Sequence, residues 1–141
     1  MKSLEEKAGA VLAILTDVYD QSPWSREQIL EDMRQEHTDY FFVSEHQQVL
    51  GFLSLQHLVG ELELTNIAVL KSHQEQGIGA RLMSHLDTVD LPIFLEVRAS
   101  NQAAQTLYEK FGFSTIGKRS NYYHDPTEDA LIMKREEYHD R

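Results

Sequence analysis

Apolar side chains recur at helical spacing near the start of the chain. They predict a helix with one buried face, made of Leu4, Val11, Leu12, Leu15, Val18 and Tyr19. The segment Ser3-Leu4-Glu5-Glu6 has the pattern of a capping box and marks the beginning of this helix. Pro23 interrupts the pattern, and Ser25-Arg26-Glu27-Gln28 is a second capping box that opens a short helix through about Gln35.

The pattern then changes to one typical of β-strands. Tyr40–Val43, Val49–Leu58 and Glu61–Val69 are rich in apolar and β-branched residues and predict three strands. In the third strand, polar and apolar residues alternate until the rhythm slips after Asn66. Such a slip is compatible with a β-bulge, and simple burial of both faces is the alternative.

The second half of the chain mixes helices and strands. A helix follows a glycine-containing loop and runs to about Asp87, and the remaining elements are a strand at Pro92–Arg98, a helix at Asn101–Phe111, and strands at Phe113–Lys118 and Ala130–Lys134. The order is helix-helix-β-β-β-α-β-α-β-β. It predicts one α/β domain over residues 1–141, with a largely antiparallel sheet.

Charge and composition narrow the range of functions. Thirteen basic and 23 acidic residues give a net charge of −10, which argues against generic nucleic-acid binding and favours a cationic partner or mere solubility. The 141 residues include no cysteine, which excludes disulfides, thiolate metal sites and a cysteine nucleophile. The chain lacks an apolar run of membrane length and a signal-peptide core, so we expect a cytoplasmic protein without a membrane partner. The seven histidines lack metal-ligand spacing, so no metal is expected.

A glycine loop carries the first chemical signal. Gly77 and Gly79 lie where a helix begins, so free backbone N–H groups and the helix dipole would favour a phosphate there. The loop is not a dinucleotide fingerprint, because Leu82 stands at the third glycine position, and it lacks the lysine of a P-loop. Taken alone, the two glycines could equally form a plain tight turn.

The surrounding residues carry a family resemblance. Gln74-x-x-Gly77-x-Gly79 directly after Asn66-Ile67-Ala68-Val69 resembles the coenzyme A signature of the GCN5-related N-acetyltransferases, the GNAT family. A later block of that family is matched by Leu95-Glu96-Val97-Arg98-Ala99-Ser100-Asn101, Ala103-Ala104 and Leu107-Tyr108-Glu109-Lys110-Phe111-Gly112-Phe113. Within the family, the ribosomal-protein-alanine N-acetyltransferases of the RimI type are most similar, on Pro23-Trp24-Ser25, Asn121-Tyr122-Tyr123 and Glu128-Asp129-Ala130.

The resemblance implies a fold and a co-substrate. The GNAT fold has a mixed, mostly antiparallel central sheet that splays at a β-bulge and is flanked by helices. The family usually opens with an edge strand, which we expect to be missing here because the first helix starts at once. The implied co-substrate is acetyl-CoA, and the matching cofactor-binding positions are Ile67, Ala68, Val69, Glu75, Gln76, Gly77, Ile78, Gly79, Ala80 and Asn101.

The same resemblance implies the catalytic residues. Glu96 matches the family's proton acceptor and Tyr108 the tyrosine that protonates the departing thiolate, with direct transfer and no covalent enzyme intermediate. The alternatives are a solvated Glu96 or its ion pair with Arg98, and a Tyr108 that is only a packed aromatic. Asn101 could contact the cofactor, cap a helix, or do both.

Three aromatic residues are candidates for binding the acceptor. By resemblance, Trp24, Tyr122 and Tyr123 line the peptide groove, and core or edge packing is the alternative for each. Glu61 and Glu63 lie on one strand face, where they are either solvated or bind a cationic substrate.

The resulting prediction is an acetyl-CoA-dependent N-acetyltransferase. The expected acceptor is the N-terminal α-amine of a basic polypeptide, an alanine of a ribosomal protein, with no direct nucleic-acid contact. The alternatives are a small amine, such as a polyamine or an aminoglycoside, and a non-catalytic acyl-CoA-binding module.

Overall fold

The structure, a computed structural model, describes residues 3–137. Its helices are α1 (Leu4–Tyr19), α2 (Arg26–Met33), α3 (Ile78–Met83) and α4 (Gln102–Lys110), with short 3₁₀ helices at Lys71–His73 and Ser84–Thr88. Its strands are β1 (Thr38–Glu45), β2 (Gln48–Leu58), β3 (Glu61–Val69), β4 (Ile93–Arg98), β5 (Ser114–Tyr123) and β6 (Glu128–Arg135). The predicted order of elements is confirmed. The third helix is shorter than expected because its second half winds as 3₁₀, and β5 is longer.

The strands form one mixed sheet in the order β1-β2-β3-β4-β6-β5. All neighbours are antiparallel except β3 and β4, which are parallel. Within residues 3–137 no strand precedes α1, and β1 forms one edge of the sheet. The mostly antiparallel α/β fold agrees with the sequence-based prediction.

Both capping boxes are present at the predicted residues. The Ser3 hydroxyl accepts the N–H of Glu6 at 3.1 Å, and the Glu6 carboxylate accepts the N–H of Ser3 at 2.9 Å. Ser25 and Gln28 cap α2 in the same reciprocal way, at 3.1 and 2.8 Å. These caps satisfy N–H groups that the first turn of a helix leaves without partners.

Helices cover both faces of the sheet. A cluster between the sheet and α1 with α2 includes Ala8, Val11, Ile14, Leu15, Ile29 and Phe52. A second cluster between the sheet and α3 with α4 includes Leu53, Leu62, Leu82, Met83, Ile93 and Leu95. The prediction for Tyr19 was wrong: it is 52% exposed, because α1 ends there and Asp20 turns the chain at a φ of 63°.

A β-bulge in β3 opens the sheet. The register passes from Ser54 opposite Asn66 to Leu55 opposite Leu64, so Thr65 is the extra residue. Its hydroxyl lies 2.7 Å from that of Ser54, which fixes the bulge. The extra residue shifts the alternation of side chains by one position. Leu62 and Leu64 before the bulge and Ile67 and Val69 after it therefore pack against the same hydrophobic cluster.

Beyond the bulge, β3 and β4 separate. Their parallel pairing covers only Leu62 with Ile93 and Glu63 with Phe94. The later part of β3 therefore has β2 on one side and an opening on the other. The predicted splay at a β-bulge is confirmed. Among the described residues, no helix is both long and apolar enough to cross a membrane.

Candidate active site

The open edge of β3 presents main-chain groups. The Leu70 N–H donates to the Leu50 carbonyl at 2.9 Å, so Leu70 faces β2. Because hydrogen-bonding direction alternates along an antiparallel strand, the main-chain groups of Ile67 and Val69 face the opening, whereas those of Ala68 face β2. The Val69 carbonyl accepts the Gln74 side-chain amide at 3.0 Å. Of the three predicted β3 residues, two therefore direct their backbone into the opening.

The glycine loop forms a cradle at the beginning of α3. Gly77 caps the helix in the left-handed region, at φ 81° and ψ 7°, and a Cβ built on it would meet no described atom within 4 Å. The first α3 hydrogen bond runs from the Arg81 N–H to the Gly77 carbonyl at 3.0 Å. The N–H groups of residues 78–80 therefore lack an intrahelical acceptor and are oriented for an anion. This open, N–H-lined space fits a pyrophosphate.

The other predicted cofactor positions have structural roles as well. A Cβ at Gly79 would lie 3.2 Å from Cδ2 of Leu107, so this glycine lets α3 approach α4. Glu75 adopts a φ of 64° in the turn before the cradle. The Asn101 side-chain oxygen accepts the Ala104 N–H at 3.1 Å, which makes Asn101 the N-cap of α4. The helix-cap alternative for Asn101 is thus present, and its contact with the cofactor stays a prediction.

Glu96 lies on the face of β4 opposite the buried face formed by Ile93, Leu95 and Val97. Its side chain is 20% exposed, and its Oε2 lies 2.6 Å from Nε of Arg119. The alternative ion pair with Arg98 is not formed, because Arg98 pairs instead with Glu128 at 3.2 Å. The Arg98 guanidinium also donates to two carbonyls of the turn between β5 and β6, so it is occupied there.

A cavity of about 210 Å³ surrounds the Glu96 carboxylate. Its lining residues are Leu58, Glu61, Glu63, Phe94, Leu95, Glu96, Arg119 and Ile132. Burial raises the pKa of Glu63, and the nearby charges of Glu96 and Glu61 raise it further while Arg119 lowers it. The carboxylates of Glu61, Glu63 and Glu96 therefore share the cavity with one guanidinium, that of Arg119. Their excess of negative charge favours the binding of a cation.

Tyr122 and Tyr123 extend this site along β5. Hydrogen bonding to Glu96, together with burial, raises the pKa of the Tyr122 phenol. The two rings meet edge to face at 5.1 Å, and the Arg98 guanidinium lies 4.5 Å from the Tyr123 ring centre. Burial, and then the charge of Glu96, raise the pKa of Tyr123 to about 12. Both predicted tyrosines therefore lie beside the predicted proton acceptor.

Tyr108 is a buried residue of α4. It is 6% exposed, and its ring centre lies 6.0 Å from that of Phe113. Burial raises the pKa of the Tyr108 phenol well above its usual value, and the Tyr19 and Tyr123 phenols add to the effect. A tyrosine phenol is protonated at neutral pH even at its ordinary pKa, so the proton that a donor needs is present on Tyr108. The Tyr123 phenol raises the pKa of Tyr108, and Glu96 in turn raises the pKa of Tyr123.

Trp24 lies apart from these residues. It packs against the cluster under α1 and α2 and lines a different cavity of about 270 Å³. The other lining residues of that cavity are Gln28, Glu31, Asp32 and Gln35, and the Glu96 cavity shares none of them. The structure thus does not bring Trp24 together with Glu96.

Sequence reasoning missed Arg119. Its only signal was its position two residues before the Asn121-Tyr122-Tyr123 motif. Strand pairing does not indicate this contact either, because Arg119 stands opposite Ala130, which stands opposite Arg98 and not Glu96. Within residues 3–137, no group of three or more His, Asp or Glu side chains is arranged to hold a metal ion.

Comparison with known proteins identifies the family. Residues 36–115 match the family model described as an acetyltransferase (GNAT) domain. The chain is similar to the [ribosomal protein bS18]-alanine N-acetyltransferase of Escherichia coli K12, with 37% identity over 118 residues that cover 79% of each protein. Among solved structures, the ribosomal-protein-S18-alanine N-acetyltransferase from Escherichia coli aligns with a TM-score of 0.86 and 30% identity, over 100% of this chain and 93% of that one.

A more distant structure shares the fold alone. The PaiA N-acetyltransferase from Thermoplasma acidophilum, solved in complex with coenzyme A, aligns with a TM-score of 0.77 and 15% identity over 98% of this chain and 97% of that one. The family model, the sequence relatives and the splayed sheet agree with one another. The chain therefore belongs to the GNAT family of N-acetyltransferases, whose members take their acetyl group from acetyl-CoA.

Proposed function

We propose that this protein acetylates the N-terminal α-amine of a basic polypeptide, an alanine of a ribosomal protein. The observation that carries this proposal is the acidic cavity around Glu96, which lies next to the opening between β3 and β4. A carboxylate-lined cavity suits an α-ammonium, and the opening suits the arm of acetyl-CoA. The activity that the Escherichia coli relatives' names state supports the choice of acceptor.

The chain's own residues would bind acetyl-CoA along one edge. The main chain of residues 75–80 would hold the pyrophosphate, in particular the N–H groups of residues 78–80, which lack an intrahelical acceptor at the start of α3. The main-chain groups of Ile67 and Val69 would bind the pantetheine arm as an added strand. The Val69 N–H would polarise the thioester carbonyl oxygen, which becomes negative as the amine attacks. Ala68 and Asn101 would complete this surface.

One proton transfer would precede the acetyl transfer and others would follow it. Glu96 would accept a proton from the α-ammonium, directly or through water, so that the nitrogen gains a free electron pair. The nitrogen attacks the thioester carbon, the carbon–sulfur bond breaks as the carbon–nitrogen bond is completed, and the nitrogen then loses its second proton to solvent. Tyr108 would give its proton to the departing thiolate and recover one from solvent. The products are the N-acetylated polypeptide and coenzyme A.

The acceptor's remaining contacts follow from charge. Glu61 and Glu63 would attract basic residues near the N-terminus of the acceptor, and Tyr122 and Tyr123 would flank its backbone. Trp24 would belong to a more distant part of the groove. A net charge of −10 supports a basic polypeptide over nucleic acid or a membrane surface as the partner, and a cytoplasmic setting fits such a substrate.

The test is mass spectrometry of a lysine-containing peptide that begins with alanine, incubated with the enzyme and acetyl-CoA. We expect one acetyl group, and fragment ions that locate it on the α-amine. A matched peptide with a blocked α-amine should stay unmodified. Acetylation of lysine only, or of spermidine but neither peptide, would contradict the proposal and point to a side-chain or small-amine acceptor. Acetyl-CoA binding without transfer to any amine would indicate a binding module.

Gly77→Val should weaken acetyl-CoA binding about tenfold or more, measured by isothermal titration. The new side chain would fill the open space at the cradle, and a β-branched residue strains the left-handed backbone there. Gly60→Val is the matched control, because Gly60 has a φ of 76°, equally open surroundings and a place in the β2–β3 turn. Comparable loss of thermal stability in both variants, with unchanged affinity in Gly77→Val, would locate the phosphates elsewhere.

A further inference from the structure

Arg119 reaches the candidate proton acceptor from the far edge of the sheet. It lies on β5, whereas Glu96 lies on β4, and β6 runs between the two strands. The register of β5 passes from Arg119 opposite Ala130 to Tyr123 opposite Glu128, so residues 120–122 face a single β6 position. Asn121 in this irregular segment has a φ of 54°, and its N–H donates to the Asp129 carboxylate at 2.9 Å.

The Arg119 guanidinium supplies the positive charge in the cavity at Glu96. The Nε of Arg119 lies 2.6 Å from Oε2 of Glu96, and its Cζ lies 5.5 Å from the ring centre of Tyr122. Arg119 also lines the cavity that contains Glu63, and its positive charge lowers the pKa of that carboxyl. An α-ammonium that approaches Glu96 would compete with the guanidinium for the same carboxylate and the same negative surroundings.

Arg119 is held loosely enough to leave. Its side chain is 60% exposed, while that of Glu96 is 20% exposed. Ion pairs with one exposed partner contribute little, because solvent screens them and a long side chain loses conformational freedom. A cationic acceptor could therefore exchange with the guanidinium.

We propose that Arg119 is a positioning residue that occupies the acceptor's cationic position in the substrate-free enzyme and is displaced when the α-ammonium binds. This inference rests on the proposed role of Glu96. Arg119 keeps the acidic cavity neutralised until a polypeptide N-terminus replaces it. Arg119 lowers the affinity for the acceptor, because the Arg119–Glu96 ion pair must break each time an acceptor binds. A residue that only orients Glu96 would instead affect kcat and leave affinity unchanged.

The test compares acceptor affinity among variants saturated with coenzyme A. Isothermal titration with the alanine-initiated peptide should give about three- to fivefold tighter binding for Arg119→Gln, the size of one partly exposed ion pair. KM for the peptide should fall by a similar factor, with kcat within about twofold of the wild-type value. Arg119→Lys keeps the charge and should stay close to the wild type in both affinity and KM.

Lys118→Gln controls for general charge. Lys118 is the neighbouring β5 cation, 64% exposed and 3.9 Å from Asp129, and alternation places it on the other face of the strand. Its loss should change peptide affinity less than twofold. Equal gains in Lys118→Gln and Arg119→Gln, or peptide binding by Arg119→Gln that is unchanged, weaker or undetectable, would overturn the inference.

Failure of the proposed function has a different signature. If the α-amine is never acetylated, the proposed function is wrong. If Glu96→Gln acetylates it at the wild-type rate, the role of Glu96 as proton acceptor is wrong. If Glu96→Gln loses transfer while Arg119→Gln binds the peptide no more tightly than the wild type, only the role of Arg119 is wrong.

Discussion

Glu96→Gln is expected to lower kcat by about 10²–10⁴-fold while acetyl-CoA binding is kept. Glutamine has nearly the same shape but cannot accept the proton of the α-ammonium, so little of the acceptor reaches the reactive form. The proposed cradle for acetyl-CoA lies at the beginning of α3 and not on β4, so it should not respond. Steady-state kinetics with the alanine-initiated peptide, together with titration of acetyl-CoA, would measure both effects.

Glu45→Gln is the matched control for that experiment. Glu45 is also a strand glutamate paired with an arginine, since its Oε2 lies 3.8 Å from Nη1 of Arg81. At saturating acetyl-CoA we expect its kcat to stay near the wild-type value. Near-normal turnover of Glu96→Gln across a full pH profile would remove Glu96 from the role of proton acceptor.

Tyr108→Phe is expected to lower kcat by about 10²-fold, the lower end of the range for a lost proton donor. The thiolate would then depart without the proton that the buried phenol holds at neutral pH. The fold should persist, because the phenyl ring can keep its place beside Phe113. Single-turnover kinetics would separate this effect on chemistry from the release of products.

Tyr19→Phe serves as the control for Tyr108→Phe. The Tyr19 phenol, like burial, raises the pKa of Tyr108, but Tyr19 itself is 52% exposed at the end of α1. We expect it to leave the single-turnover rate within about twofold of the wild type. An unchanged single-turnover rate for Tyr108→Phe would mean that water protonates the thiolate and that Tyr108 is only a packed aromatic.

The sequence predicted the secondary structure well wherever the cause is local. A capping box depends on two residues three positions apart, and both boxes formed where the sequence indicated. The slip in alternation after Asn66 predicted the bulge because residues on both sides of Thr65 must face the same core. The prediction that Tyr19 is buried was wrong, because helical spacing alone does not show where the sheet stops covering a helix.

The candidate catalytic residues Glu96 and Tyr108 were predicted from the family resemblance, but the surroundings of Glu96 could not be predicted from the sequence. Glu96 and Arg98 share one face of β4, and spacing alone made them natural partners. Glu128 and the turn between β5 and β6 bind Arg98, and Arg119, which stands opposite Ala130, reaches Glu96 instead. Partners on three different strands depend on strand order and register, which no local pattern contains.

The sequence by itself determined the order of the elements and the two helix caps, because hydrogen bonds and periodicity over a few residues specify them. It was compatible with the bulge and with a glycine cradle, with burial of both strand faces and a plain tight turn as the alternatives. Only the tertiary structure decided that β3 and β4 separate after two paired positions and that Arg119 lies against Glu96. It also placed Trp24 in a cavity of its own, apart from the tyrosines of β5. These features arise from contacts between distant segments, where sheet order and packing fix which side chains can meet.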